Sequence, residues 1–142
     1  MDNSQDFRCS FKAHIELLPK MLTWIREHIN NRGYSKAEIN NIEIAVEEAL
    51  VNIIHYAYAQ KPGKIEISYR LFPKDHIELT IIDTGVPFNP LGKDKKINIY
   101  ASLKERKEGG LGIVFMSTLM DQVDYRREEN ANILTLKKKC RD

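Results

Sequence analysis

Polar and apolar positions follow regular spacings along most of this chain. Residues 7–13 alternate between apolar and polar side chains, a period of two that predicts a half-buried strand. From 18 to 29, leucine and isoleucine recur every three or four residues, which predicts a helix. Pro19 fits this helix only in its first turn, where its missing N–H is not needed.

A second, longer helix has a recognisable start. Ser35 is followed three residues later by Glu38, the capping-box pattern in which a hydroxyl and a carboxylate satisfy backbone N–H groups reciprocally. We expect this helix to continue to about Tyr58, with an aliphatic stripe along one face. The stripe consists of Ile39, Ile42, Val46, Ala49 and Ile53.

Two hairpins are predicted in the second half of the chain. Segments 65–69 and 77–81 alternate and predict one antiparallel pair, and 123–127 with 133–137 predict another. The order of strands and helices predicts an α+β fold class in which helices cover one face of a sheet.

A long irregular segment separates the two hairpins. Residues 86–108 show little periodicity, and a loop of this length in a compact domain is usually functional or disordered. The apolar run from 111 to 120 then predicts a buried helix.

Composition narrows the class of protein. The 142 residues suit a single domain, 1–142, and 42% hydrophobic with 30% charged residues is typical of a globular chain. A net charge of +2 does not indicate nucleic acid as a partner. With no signal-peptide pattern and no apolar run of about 18 residues, we expect a cytoplasmic protein that has no membrane segment. Cys9 and Cys140 have neither metal-ligand nor disulfide spacing.

Candidate chemistry first appears on the second helix. Glu48 and Asn52 are four residues apart and therefore share one helix face, away from the aliphatic stripe. Helical spacing alone fits a solvated polar face. The alternative is a site beside the phosphate chain of a nucleotide. In such a site the Asn52 amide oxygen binds Mg²⁺ and the Glu48 carboxylate accepts a hydroxyl proton.

Two further segments each have a structural and a functional interpretation. Asp83 ends an aliphatic strand and is followed by Gly85, which fits an ordinary turn or a buried carboxylate facing a donor such as an exocyclic amine. Residues 109–112 are a Gly-Gly-Leu-Gly run before the apolar segment, which fits a flexible loop end or backbone N–H groups around an anion.

Together these segments resemble the N, G1 and G2 boxes of the Bergerat-fold ATPases, the superfamily of gyrase, histidine kinases and heat-shock chaperone ATPases. Glu48-x-x-x-Asn52 resembles the N box, Asp83-x-Gly85-x-x-Phe88 the G1 box, and Gly110-x-Gly112 the G2 box. Within the superfamily the chain is most similar to bacterial anti-sigma-factor serine/threonine protein kinases. The resemblance implies a two-layer sandwich with helices on one face of a mixed, mainly antiparallel sheet.

The resemblance also implies roles for individual residues. Glu48 would be the catalytic base, Asn52 the Mg²⁺ ligand and Asp83 the reader of the adenine amino group. The implied ATP-binding residues are Asn52, Asp83, Gly85, Phe88, Gly109, Gly110, Leu111 and Gly112. Residues 89–108 would form the lid over ATP. One departure is Ala131-Asn132, where the family usually has Gly-Thr near the final strand, so Asn132 is not counted among the contacts.

The implied function is Mg-ATP-dependent phosphorylation of a serine or threonine on a STAS-domain antagonist protein. Such a kinase would also sequester a sigma factor or another regulator, and it would act as a homodimer without nucleic acid or membrane. The first alternative is a non-catalytic ATP-binding module on the same fold that switches partners. A remote alternative is a dimeric aspartic protease, because 81–85 also resembles that family's motif, although a long helix argues against an enzyme class built mainly of strands.

Overall fold

The computed structural model describes residues 5–30, 33–58, 63–72, 75–89, 116 and 118–139. The helices are α1 (Leu18–Ile29), preceded by a 3₁₀ turn at Ile15–Leu17, and α2 (Lys36–Asn52), followed by a π-helical turn at Ile53–Ala57. The strands are β1 (Gln5–Lys12), β2 (Lys64–Phe72), β3 (His76–Asp83), β4 (Gln122–Glu128) and β5 (Ala131–Lys139).

The strands form one sheet in the order β1-β2-β3-β5-β4. Both predicted hairpins, β2–β3 and β4–β5, are confirmed, and each described pairing in the sheet is antiparallel. β5 lies between β3 and β4 and runs antiparallel to both, so β3 and β4 point in the same direction without pairing. The predicted α+β architecture is confirmed, with no parallel pairing among the described strands.

The core lies between the helices and one face of the sheet. Alternate residues of β2, β3 and β5 are buried, as expected for a sheet that is covered on one side. Every residue of the predicted α2 stripe is buried as well. Pro19 lies in the first turn of α1, as the sequence required.

The predicted capping box begins α2. The Ser35 hydroxyl accepts from the Glu38 N–H at 3.1 Å, and the Ser35 N–H donates to Glu38 Oε1 at 3.1 Å. Two of the N–H groups at the helix start are thereby satisfied, which fixes where α2 begins.

The far end of α2 differs from the regular helix that was expected. After Asn52 the backbone widens into the π turn, in which the Tyr58 N–H donates to Ile53 O at 3.2 Å. Single π turns inside helices are frequent at functional sites. Here the turn leaves the Ala57 carbonyl available for a contact with the loop after β3.

The predicted helix at 111–120 lies mostly outside the described residues. Within it, Met116 and Met120 are buried in the core. None of the described helices has the length and apolar character needed to cross a membrane. The assignment of 1–142 to one domain stays a prediction.

Candidate nucleotide-binding site

Asp83 ends β3 as a nearly buried carboxylate, with 2% of its surface exposed. Its Oδ1 accepts from the Gly85 N–H at 3.0 Å and from Asn132 Nδ2 at 2.8 Å. Within the described residues its Oδ2 accepts no hydrogen bond, so this oxygen is the one available to a ligand donor.

Burial controls the ionisation of this carboxylate. Desolvation raises the pKa of Asp83 above its ordinary value of 3.8. The hydrogen bonds from Asn132 and Gly85 and the positive charge of Arg127 oppose this shift without cancelling it. A carboxylate held in this way favours a partner that brings its own hydrogen-bond donor.

The Asn132 side chain forms hydrogen bonds through both its amide nitrogen and its amide oxygen. Its Nδ2 donates to Asp83 and also to Val86 O at 2.9 Å. Its Oδ1 accepts from the Phe88 N–H at 3.2 Å and from the Tyr125 hydroxyl at 2.5 Å. Asn132 is therefore a positioning residue whose hydrogen-bonding capacity is already used, consistent with its omission from the predicted contacts.

Gly85 allows the loop after β3 to touch the end of the helix. A Cβ atom at this position would lie 2.3 Å from the Ala57 carbonyl oxygen, which is too close for any side chain. That carbonyl accepts the Val86 N–H at 3.0 Å, and Arg127 Nη1 donates to Gly85 O at 2.8 Å. This close approach of two backbone segments is what requires glycine at position 85.

Tyr58 joins the same loop to β2, a role that sequence reasoning missed. Its hydroxyl accepts the Thr84 N–H at 2.7 Å and donates to Lys64 O at 2.7 Å. A tyrosine just after a helix gives no local sign of either contact. The neighbouring Gly63 was a usable signal, because a Cβ there would lie 2.3 Å from the Tyr58 ring.

Phe88 closes the loop against the π turn. Its half-buried ring stacks on Tyr56, with ring centroids 5.2 Å apart and planes inclined at 25°. The segment that contains Asp83, Gly85 and Phe88 thus packs directly on the turn that continues from Asn52.

Asn52 and Glu48 occupy different environments on α2. Glu48 is half-buried, whereas Asn52 has only 3% of its surface exposed, so it does not lie on the solvated face that its helical position favours. The Asn52 Nδ2 atom is buried without a hydrogen-bond partner in the described part of the chain. Leaving a buried polar atom unpaired costs about 1–3 kcal/mol, which makes this amide a candidate ligand contact.

The remaining predicted site residues lie outside the described residues. These are Gly109, Gly110, Leu111 and Gly112, together with the predicted lid at 89–108 apart from Asn89. No group of three histidine, cysteine or acidic side chains suited to a metal occurs in the ranges that the structure covers.

The fold is therefore a helical layer on one face of an antiparallel sheet, and a buried aspartate ends the central strand just before the loop that contacts the end of the long helix. The family model described as histidine kinase-like ATPase domain matches residues 11–138. A serine-protein kinase RsbW of Bacillus cereus is 31% identical over 111 residues, which are 76% of this chain and 69% of that protein. The chain therefore belongs to the histidine kinase-like ATPase domain family, in the group that contains the serine-protein kinases RsbW.

Other similar proteins agree with this placement. The serine-protein kinase RsbW of Bacillus licheniformis is 33% identical over 105 residues, 71% of this chain and 65% of that protein. The solved structure of the RsbU and RsbW domains of Rv1364c from Mycobacterium tuberculosis shares the fold, with a TM-score of 0.66 at 15% identity. That match covers 97% of this chain, which spans about a third of the solved chain's length (33%). The aspartic protease alternative is thereby excluded.

Proposed function

We propose that this protein is an ATP-dependent serine/threonine protein kinase that also acts as an anti-sigma factor in a partner-switching system. One structural observation carries the proposal. The buried Asp83 has one carboxylate oxygen unused among the described residues, and the loop that follows it packs on the turn that continues the helix of Glu48 and Asn52. Membership in a family of serine-protein kinases supports the same activity.

ATP is the nucleotide that this site fits. Asp83 accepts a hydrogen bond from the adenine amino group through Oδ2, while Gly85 and Phe88 line the base. The phosphates lie toward the loop of Gly109, Gly110, Leu111 and Gly112, whose backbone N–H groups bind them as helix-start anion sites do. Residues 89–108 close over the bound nucleotide, and lid closure excludes water during transfer.

Asn52 would hold magnesium. The buried Nδ2 has no partner in the described part of the chain, and rotation of the amide by 180° exchanges its nitrogen and oxygen ends, so the residue fits an oxygen ligand. Mg²⁺ keeps several waters and phosphate oxygens, so it needs few protein ligands. When bound, it neutralises charge on the phosphates during transfer.

Glu48 acts as the base in the transfer step. The hydroxyl oxygen of a substrate serine or threonine attacks the γ-phosphorus, and the bond from that phosphorus to the ADP oxygen breaks. Glu48 accepts the hydroxyl proton, and ADP leaves with the bonding electrons. Glu48 is half-buried and lies one helical turn before Asn52 on α2.

The partners we propose follow from the family. The substrate is a STAS-domain antagonist, and the chain sequesters a sigma factor or another regulator until the phosphorylation state of the antagonist changes. The protein works as a homodimer in a bacterial cytoplasm, and no residue of this chain selects a particular sigma factor.

One experiment separates this proposal from the non-catalytic module. The purified chain is incubated with γ-labelled ATP, Mg²⁺ and the STAS protein encoded nearby, and label on the STAS protein is measured. Transfer that requires Glu48 supports the kinase. Saturable ATP binding without any transfer favours a partner-switching module, and absence of ATP binding removes both.

A further inference from the structure

The candidate site has a buried polar side chain at the end of each of two elements. Asn52 is the last residue of α2, with 3% of its surface exposed, and the π turn Ile53–Ala57 follows it directly. Asp83 is the last residue of β3, with 2% exposed, and residues 84–88, here called the base loop, follow it directly. The proposed metal ligand and the proposed base acceptor are therefore each followed by a short segment, and these two segments contact each other.

Tyr58 connects these two segments through two hydrogen bonds. The Thr84 N–H donates to the Tyr58 hydroxyl at 2.7 Å, and the Tyr58 N–H donates to Ile53 O at 3.2 Å. Thr84 is the residue after Asp83. Ile53 is the residue after Asn52. A path of two hydrogen bonds, both made by Tyr58, therefore leads from one site residue to the other.

The Tyr58 side chain is also held by the start of β2. Its hydroxyl donates to Lys64 O at 2.7 Å, so the single hydroxyl proton is already in use. The ring lies against Gly63, where a Cβ atom would be 2.3 Å from a ring carbon. Because the hydroxyl is bonded from two sides and the ring has a close neighbour, rotation of the tyrosine does not absorb a shift at Thr84. We expect such a shift to move the π turn instead.

The two residues before Tyr58 contact the same loop. The Ala57 carbonyl accepts the Val86 N–H at 3.0 Å, and the Tyr56 ring stacks on Phe88 with ring centroids 5.2 Å apart. Three consecutive residues at the end of the helix thus contact alternate residues of the base loop. The loop and the turn pack as one unit, so ordering either of them restricts the other.

Among these contacts, the bond to the Tyr58 hydroxyl comes from the residue next to Asp83 and can be removed alone. The contact between Ala57 and Val86 joins two backbone groups, which side-chain substitutions leave in place. Tyr56 is 39% exposed, so its stacking on Phe88 is in contact with solvent. The Tyr58 hydroxyl is therefore the side-chain group that best connects the two subsites.

We propose that Tyr58 couples binding of the base at Asp83 to binding of the metal at Asn52. A base amine on Asp83 Oδ2 orders the base loop, and through Tyr58 it also orders the turn that begins after Asn52. The Asn52 amide is then already held in place for the metal.

The coupling has a thermodynamic origin. The conformational entropy of the turn is lost when the first ligand binds, so the second ligand binds without losing it again. Coupling of this kind is reciprocal, and the metal therefore strengthens selection of the base by the same factor. The proposal rests on the base and metal subsites of the proposed function. Tyr58 touches neither ligand in this scheme and is a positioning residue.

Two nucleotides with identical phosphates test the coupling in the wild-type chain. ATP carries the amino group that Asp83 accepts, and purine riboside triphosphate lacks it. For each nucleotide, calorimetry gives the affinity with Mg²⁺ and the affinity in EDTA, and the first divided by the second is the metal enhancement. We expect the metal enhancement of ATP to exceed that of purine riboside triphosphate by about fivefold or more. Equal enhancements would overturn the coupling.

A pair of matched tyrosine substitutions tests the role of Tyr58. Tyr58→Phe keeps the ring and removes the hydroxyl, so the two metal enhancements should become equal. Tyr125→Phe is the control, because its hydroxyl donates to Asn132 Oδ1 and does not lie on the path to Asn52. Any loss of ATP affinity in the control should be the same with Mg²⁺ and in EDTA. A folded Tyr58→Phe chain that keeps the full difference, or a Tyr125→Phe chain that loses it, would overturn the assignment.

Hydrogen exchange provides a measurement that needs neither metal nor phosphate transfer. We expect ADP in EDTA to slow exchange of the backbone N–H groups of residues 53–58 in the wild-type chain. In Tyr58→Phe this effect should be lost. Slower exchange that is confined to the base loop of the wild-type chain would overturn the coupling.

The outcomes also separate the coupling from the function on which it rests. If neither nucleotide binds under either condition, the proposed function fails and the coupling fails with it. If both bind equally under both conditions, Asp83 does not read the amino group, and the base subsite and the coupling are both overturned. If ATP binds more tightly but the two metal enhancements are equal, only the coupling is overturned.

Discussion

Asn132 Nδ2 donates to Asp83 Oδ1 at 2.8 Å, across the β3–β5 pair in which the two residues are directly opposite. The same amide holds the backbone of Val86 and Phe88, so one side chain on the final strand fixes both the carboxylate and the loop after it. The geometry around Asp83 therefore depends on a strand pairing between two residues that are 49 positions apart in the chain.

Replacing Asn132 should damage stability and nucleotide binding together. Asn132→Ala leaves the Phe88 N–H and the Tyr125 hydroxyl without their acceptor, and each unpaired group costs about 1–3 kcal/mol if it stays buried. We expect the unfolding free energy to fall by at least about 2 kcal/mol and ATP affinity to fall with it. Urea denaturation and calorimetry measure both, with Thr135→Ala on the outer face of β5 as the control. Unchanged ATP affinity in a folded Asn132→Ala chain would disprove the positioning role.

The free energy of unfolding should depend on pH because of Asp83. Because burial raises its pKa above 3.8, the folded chain keeps this proton over a range in which the unfolded chain has lost it. The contribution of Asp83 to stability therefore grows as pH falls from above its folded pKa to 3.8, by at most about 1.4 kcal/mol per pH unit. The reference is Asp83→Asn, which does not titrate. The difference in unfolding free energy, wild type minus Asp83→Asn, should rise on acidification, and a difference that falls would contradict the raised pKa.

The contact between Gly85 and the π turn should tolerate no side chain. Gly85→Ala puts its methyl group 2.3 Å from the Ala57 carbonyl, so the loop must move away from the helix end. Overpacking of this kind costs about 1–3 kcal/mol. Val86→Ala is the matched control, since Val86 is exposed and keeps its N–H bond to Ala57. We expect thermal unfolding and ATP binding to change in the first variant only, and equal behaviour of the two would show that the close approach is dispensable.

Contacts between residues close in the sequence could be predicted, whereas contacts between residues far apart in the chain could not. Ser35 and Glu38 lie three residues apart, so the start of α2 could be predicted from their spacing alone. Tyr58 contacts Thr84, 26 residues away, and Asn132 contacts Asp83, 49 residues away, so neither contact follows from local spacing. The burial of Asn52 could not be predicted for a different reason. The position of a residue on the helix gives the direction of its side chain, but its burial depends on which other segments pack against that face.

A comparison of substitutions at Glu48 and at its neighbour Glu47 tests whether Glu48 is the catalytic base. Glu48→Gln keeps shape and hydrogen bonding but cannot accept the proton, so phosphate transfer should fall by about 10²–10⁴ while ATP binding changes little. Glu47→Gln makes the same replacement at an exposed position one residue earlier and should transfer phosphate normally. Single-turnover transfer to the STAS protein is the measurement. Equal rates in the two variants would remove Glu48 from the mechanism.

Replacing Asn52 should lower ATP affinity in the presence of Mg²⁺ but not in its absence. Because its buried Nδ2 has no partner in the described residues, Asn52→Ala removes the proposed oxygen ligand without breaking a described bond at Nδ2. We expect ATP affinity measured with Mg²⁺ to drop toward the value measured with EDTA, while affinity in EDTA stays near that of wild type. Asn40→Ala, at an exposed position of the same helix, should keep the full difference between the two conditions. Equal losses with and without metal would mean that Asn52 contacts the nucleotide or supports the fold, and the metal would then require another ligand.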